Sequence, residues 1–118
     1  MKPHCHILGP GALGGLFAFR LTAAGFHVSL IGQHPATKTQ RLTLLTHQKQ
    51  QTLEFPLESS DTKGPISLLW VTTKSHAVLD AVTRLSHRFT TETVVVTLSN
   101  GMGYHNALST LVSGRLVA

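Results

Sequence analysis

The chain is poor in several things that would each point to a different kind of protein. It has one cysteine, Cys5, in 118 residues, so an internal disulfide is excluded. Acidic residues are few: five Asp and Glu stand against ten Lys and Arg, a formal charge of +5 with the eight histidines neutral. The basic residues are scattered from Lys2 to Arg115 without a run, so neither a nucleic-acid arm nor a polybasic membrane patch is expected. No apolar run approaches the roughly 18 residues of a membrane helix. The start Met1-Lys2-Pro3-His4 leads into an apolar stretch cut by glycines rather than a signal peptide, and the default compartment is the reducing cytoplasm. With 42% hydrophobic and 13% charged residues the chain is too apolar for a disordered tail. A chain this long buries about 60–70% of its unfolded surface, enough for one domain spanning 1–118.

Hydrophobic spacing then gives an order of elements. A short strand, His4 to Leu8, runs into Gly9-Pro10-Gly11-Ala12-Leu13-Gly14-Gly15. Leu13, Leu16, Phe17, Leu21 and Ala24 follow at helical spacing, and Gly25 stands where a helix commonly ends. A second strand, His27 to Ile31, closes a βαβ unit of about 30 residues. Pro35 to Arg41 reads as a helical turn, and Leu42–Leu45 with Thr52–Leu57 as a hairpin or meander. After a polar loop from Glu58 to Pro65, Ile66–Val71 has the continuous apolar character of a parallel strand covered on both faces. Ser75 caps a helix carrying Val78, Leu79, Val82 and Leu85, Thr93–Leu98 is a β-branched strand, and a short helix is expected from Tyr104 to Leu111. Arg115 begins another apolar stretch. This alternation predicts an α/β domain with an open, mostly parallel sheet and helices on both faces.

The chemistry concentrates at the strand ends. Gly9, Gly11 and Gly14 form GxGxxG between a strand and a helix inside a βαβ unit, the context in which that pattern binds a dinucleotide. Gly9 permits the turn, a bare position 11 lets a pyrophosphate reach the backbone, and Gly14 lets the helix approach the sheet. The helix N-terminus adds unpaired N–H groups and a positive dipole end, completing a Rossmann-type signature. After the second strand stands Gly32-Gln33-His34, with no carboxylate to hold a ribose 2′-hydroxyl and with Lys38 and Arg41 as the nearest charges. That favours NADP over NAD. Thr72-Thr73-Lys74 and Ser99-Asn100-Gly101 end two further strands, so Lys74 and Asn100 would face the same crevice. His4 and His6 share a strand face as a metal pair might, but no cysteine or carboxylate spacing accompanies them, and no metal is expected.

Three segments together, Ile7-Leu8-Gly9-Pro10-Gly11-Ala12-Leu13-Gly14-Gly15, Val71-Thr72-Thr73-Lys74 and Ser99-Asn100-Gly101-Met102-Gly103, resemble the 2-dehydropantoate 2-reductase (ketopantoate reductase) family. The resemblance runs the whole chain but covers only that family's N-terminal, NADP-binding domain. It implies that Gly9, Pro10, Gly11, Ala12, Leu13 and Gly14 hold the pyrophosphate. Lys74 and Asn100 would lie near the nicotinamide, Asn100 also touching substrate. The implied reaction is reduction of the 2-oxo acid 2-dehydropantoate to (R)-pantoate with hydride from NADPH. The implied proton donor is a lysine of a second, helical domain, so no catalytic residue is expected in this chain. Gln33 stands where many members carry an arginine for the 2′-phosphate.

The length then reads as a fragment that binds cofactor with little or no turnover. Two other readings fit the same residues: a reductase of another 2-oxo acid, and a dinucleotide-sensing module without chemistry. An open sheet edge at Arg115–Ala118 would invite self-association.

Overall fold

A computed structural model describes residues 3–9, 12–32, 37–73, 75–97, 108–109, 111–112 and 114–117. Among them the order is β1 (His4–Leu8), α1 (Ala12–Ala23), β2 (His27–Ile31), β3 (Thr39–Leu45), β4 (Gln50–Glu58), β5 (Ile66–Val71), α2 (Ser75–Leu85), a 3-10 turn (Ser86–Arg88), β6 (Phe89–Thr97) and β7 (Arg115–Val117). The strands form one sheet in the order β3-β4-β2-β1-β5-β6-β7. Every neighbouring pair is parallel except β3 with β4. This is the Rossmann-type α/β sheet that the alternation of strands and helices predicts.

The central strands are apolar because both of their faces are covered. On one face Cys5, Ile7, Val28, Leu30 and Phe55 pack with Ala18 and Phe19 of α1. Phe19 meets Phe55 edge-on at 5.9 Å and Phe17 stacks on Trp70 at 5.4 Å, which seats α1 across β4 and β5. On the other face Leu8, Ile31, Leu69, Val71 and Val95 pack with Val78, Val82 and Leu85 of α2 and with Leu108 and Val112. The helix expected at Tyr104–Leu111 is described only at Leu108, Ser109 and Leu111, which are helical, and Val112 N–H donates to Leu108 O at 3.0 Å. Its remaining residues, and Leu98 of the expected sixth strand, lie outside the described residues.

Helix α1 stops where the sequence predicts. Gly25 takes φ +98°, Gly25 N–H donates to Thr22 O at 3.1 Å, and Phe26 N–H donates to Leu21 O at 3.0 Å. Those two bonds are the paired closure of a glycine-terminated helix. Three expectations change. β4 runs beyond the expected Thr52–Leu57 at both ends and takes Glu58 from the expected loop, because Gln50 and Gln51 pair with β3 and Glu58 pairs with Ile31 of β2. Thr39, Gln40 and Arg41 belong to β3 rather than to a helical turn, because each pairs across to β4 and Lys38 O accepts the Leu57 N–H at 2.8 Å. Strand β6 begins at Phe89 rather than Thr93. The register against β5 jumps from Ile66↔Phe89 to Leu68↔Val94, and buried Thr93 bridges the jump by donating Oγ1–H to Ile66 O at 2.6 Å while accepting the Thr90 N–H at 2.8 Å.

Candidate functional site

The register brings the carboxyl ends of five strands into one row, since Leu8 pairs with both Ile31 and Val71, Ile31 with Glu58, and Val71 with Thr97. β1 leads through α1 to β2 on one side, and β5 lies on its other side. The order therefore reverses between β1 and β5, and open α/β sheets bind ligands outside the strand ends at that kind of reversal.

Gly9 leaves β1 at this point with φ +85°, a conformation that side chains rarely adopt. A Cβ there would lie 2.5 Å from Thr73 Oγ1 and 3.0 Å from the Thr73 backbone. Gly14, in the first turn of α1, is equally constrained: its Cβ would sit 2.7 Å from Gly9 O and 2.8 Å from Thr72 Oγ1. Two of the three motif glycines are thus required by how closely the loop, the helix and the end of β5 approach one another. Thr72, the first residue beyond β5, holds that approach from beneath. Its N–H donates to Leu8 O at 3.0 Å, and its Oγ1 lies 2.6 Å from Gly9 O and 2.9 Å from Leu8 O.

Of the other residues expected at the site, Ala12 and Leu13 are the first two residues of α1, which places their backbone N–H groups at the helix N-terminus. Pro10, Gly11, Gln33, Lys74 and Asn100 lie outside the described residues. Described residues that precede three of them are placed: Gly32 follows β2, Thr73 follows β5, and Thr97 ends β6, all on the row that carries Gly9. The two cations near the end of β2 are separated by the hairpin. Exposed Lys38 sits level with Leu57, at the carboxyl end of β2. Arg41 is three residues along β3 toward the opposite end, 3.7 Å from Glu54.

Sequence reasoning singled out Lys74 and passed over Thr72, whose partner Gly9 lies 63 residues away in the chain. It also missed a polar group beneath the 59–65 loop. Arg88, 4% exposed, donates from Nη1 to Glu58 Oε1 at 2.8 Å and from Nε to Gly64 O at 2.8 Å. His6 Nε2 lies 3.3 Å from the same Glu58 oxygen, and His6 is 2% exposed. Burial, reinforced by His4 and Arg88 and opposed by Glu58, pushes the His6 imidazole down to about 4. His4 lies alongside with ring centroids 4.4 Å apart and shares a 2.7 Å hydrogen bond with Ser29. Among the described residues no group of three or more His, Cys, Asp or Glu is placed to share a metal ion.

A mostly parallel sheet with a glycine turn at its point of reversal defines an α/β domain of the Rossmann type. The sequence matches the model of the family described as ketopantoate reductase PanE/ApbA over residues 5–118, and the chain belongs to that family. It is 32% identical over 103 residues to a 2-dehydropantoate 2-reductase of Vibrio cholerae, covering 87% of this chain and 33% of that protein. A solved protein of Enterococcus faecalis, assigned as a 2-dehydropantoate 2-reductase, superposes with a TM-score of 0.77 at 26% identity over 95% of this chain and 38% of that one. The fold is also that of a D-mandelate dehydrogenase solved with NADH and anilino(oxo)acetate, with a TM-score of 0.78 at 21% identity over 92% of this chain and 37% of the other. The chain therefore spans about a third of the length of that Vibrio cholerae relative.

Proposed function

We propose that residues 1–118 are the cofactor-binding domain of a reductase that converts 2-dehydropantoate to (R)-pantoate with NADPH. The observation that carries this reading is the close packing of Gly9 and Gly14 against the end of β5, at the point where the strand order reverses. A side chain at Gly9 would press on Thr73 and one at Gly14 on Gly9 O and Thr72, so both glycines keep the N-terminus of α1 close against the loop and the end of β5, an arrangement that suits a pyrophosphate held on backbone N–H groups. A bound nicotinamide dinucleotide supplies the hydride. The chain's own part is to bind and orient it.

In this reading Gly9, Pro10, Gly11, Ala12, Leu13 and Gly14 cradle the phosphates. Gln33 stands beside the ribose, and Lys74 and Asn100 meet the nicotinamide end, Asn100 also touching the 2-oxo acid. The proton donor belongs to a further helical domain of the longer protein. Preference for NADP rests on the absence of a carboxylate after β2 and on Lys38, which the β3–β4 pairing holds level with the carboxyl end of β2, one strand beyond β4. No helix of the described residues is long and apolar enough to cross a membrane, which fits a cytoplasmic setting. β7 ends the sheet with Val117 exposed, an edge that suits self-association.

Titration of the chain with NADPH and NADH, followed by nicotinamide fluorescence, tests the proposal. Binding of NADPH, tighter than NADH, is expected, and binding of neither overturns it. The substrate is tested with the longer protein on a panel of 2-oxo acids, among which 2-dehydropantoate should give the highest kcat/KM.

A further inference from the structure

Resting on that reading, we infer that Thr72 is a positioning residue for the cofactor: its hydroxyl draws the Gly9 carbonyl down onto β5 and so keeps the N-terminus of α1 clear for the pyrophosphate. A threonine hydroxyl has one hydrogen to give, and two carbonyl oxygens lie within reach, Gly9 O at 2.6 Å and Leu8 O at 2.9 Å. Leu8 O already accepts the Thr72 N–H at 3.0 Å and has the Thr73 hydroxyl at 3.4 Å as well. The hydroxyl hydrogen therefore belongs to Gly9 O, the nearer of the two and the one the Thr72 backbone leaves free.

That oxygen lies against the first turn of α1, 2.7 Å from where a Cβ on Gly14 would be. A carbonyl left free there would add partial negative charge at the end of the helix that attracts anions, and the Gly9 turn would lose its fixed orientation. Thr72 prevents both, and it does so from the neighbouring strand, so the loop is tied to the sheet across the point of reversal.

The test is Thr72→Val, which keeps the shape and removes the hydroxyl, beside Thr72→Ser, which restores it. The Kd values for NADPH and NADH should both rise about tenfold in the valine variant, by the same factor because the pyrophosphate is common to the two. Serine should return most of the affinity. Backbone amides of Leu16–Ala18, which lie beyond the unpaired first turn of α1, should exchange faster in the valine variant than in wild type, without any cofactor present. Unchanged affinity in the valine variant, or a serine variant as weak as valine, overturns the inference. Wild-type chain that binds neither dinucleotide would sink the proposed function instead. Amide exchange then still decides whether Thr72 holds the loop, with equal rates in wild type and valine variant overturning that.

Discussion

Gly14 shows how much one missing Cβ can decide. Alanine there would press on Gly9 O and Thr72 Oγ1 at 2.7 and 2.8 Å, and the first of these is backbone that moves only with the loop. Gly14→Ala should therefore cost about 1–3 kcal/mol of stability and abolish dinucleotide binding, read by thermal unfolding and titration. His6 makes a different prediction. Its folded-state value of about 4 lies below the ordinary 6.5, so between those limits the unfolded chain binds the extra proton. Stability is then greatest above about pH 6.5 and falls as the pH drops toward 4, by on the order of 2–3 kcal/mol. Urea unfolding at pH 7.5 and 5 should show the loss, and His6→Gln should flatten it. The groups facing His6 are His4 on its own strand, Glu58 on β4 and Arg88 after α2. The sequence places His4 and His6 on one strand face but gives no sign that Glu58 and Arg88, 30 residues apart, close over them.

At the scale of elements, strands followed hydrophobic runs closely where both faces are buried. β1, β2 and β5 fall where periodicity puts them, because an apolar run of that length has no other way to be covered. β3 and β6 extend beyond their apolar residues for different reasons: cross-strand pairing with β4 recruits Thr39, Gln40 and Arg41, while Phe89 pairs with Ile66 and the hydroxyls of Thr90 and Thr93 take up N–H groups of the irregular stretch that follows it. β7 depends on a contact that no periodicity shows. Gly114, just before it, lies so close to Thr93 that a Cβ would overlap the Thr93 carbonyl. Gly114→Ala should push β7 off the sheet, seen as faster amide exchange at Arg115–Val117 and lower thermal stability, while Gly25→Ala, with nothing within 4 Å, should cost only about 1 kcal/mol for its positive φ.

For the whole molecule, topology decides which charges lie toward the carboxyl ends of the parallel strands. Lys38 and Arg41 look equivalent in the sequence, but antiparallel pairing of β3 carries Arg41 away from the carboxyl end of the sheet and leaves Lys38 there. Lys38→Ala should weaken NADPH about five- to tenfold and leave NADH unchanged, whereas Arg41→Ala should alter neither. Equal weakening of both dinucleotides by Lys38→Ala would remove Lys38 from the 2′-phosphate. By itself the sequence determined the alternation of elements and the glycine motif, because these are written in local spacing of apolar and small residues, and three short segments carried the resemblance to the family. Only the tertiary structure decided that Thr72 meets Gly9, that His6 is buried against Glu58 and Arg88, and that Lys38 rather than Arg41 lies toward the carboxyl ends of the parallel strands. Each of those depends on which strand lies beside which, and that order is set by burying both faces of the sheet at once.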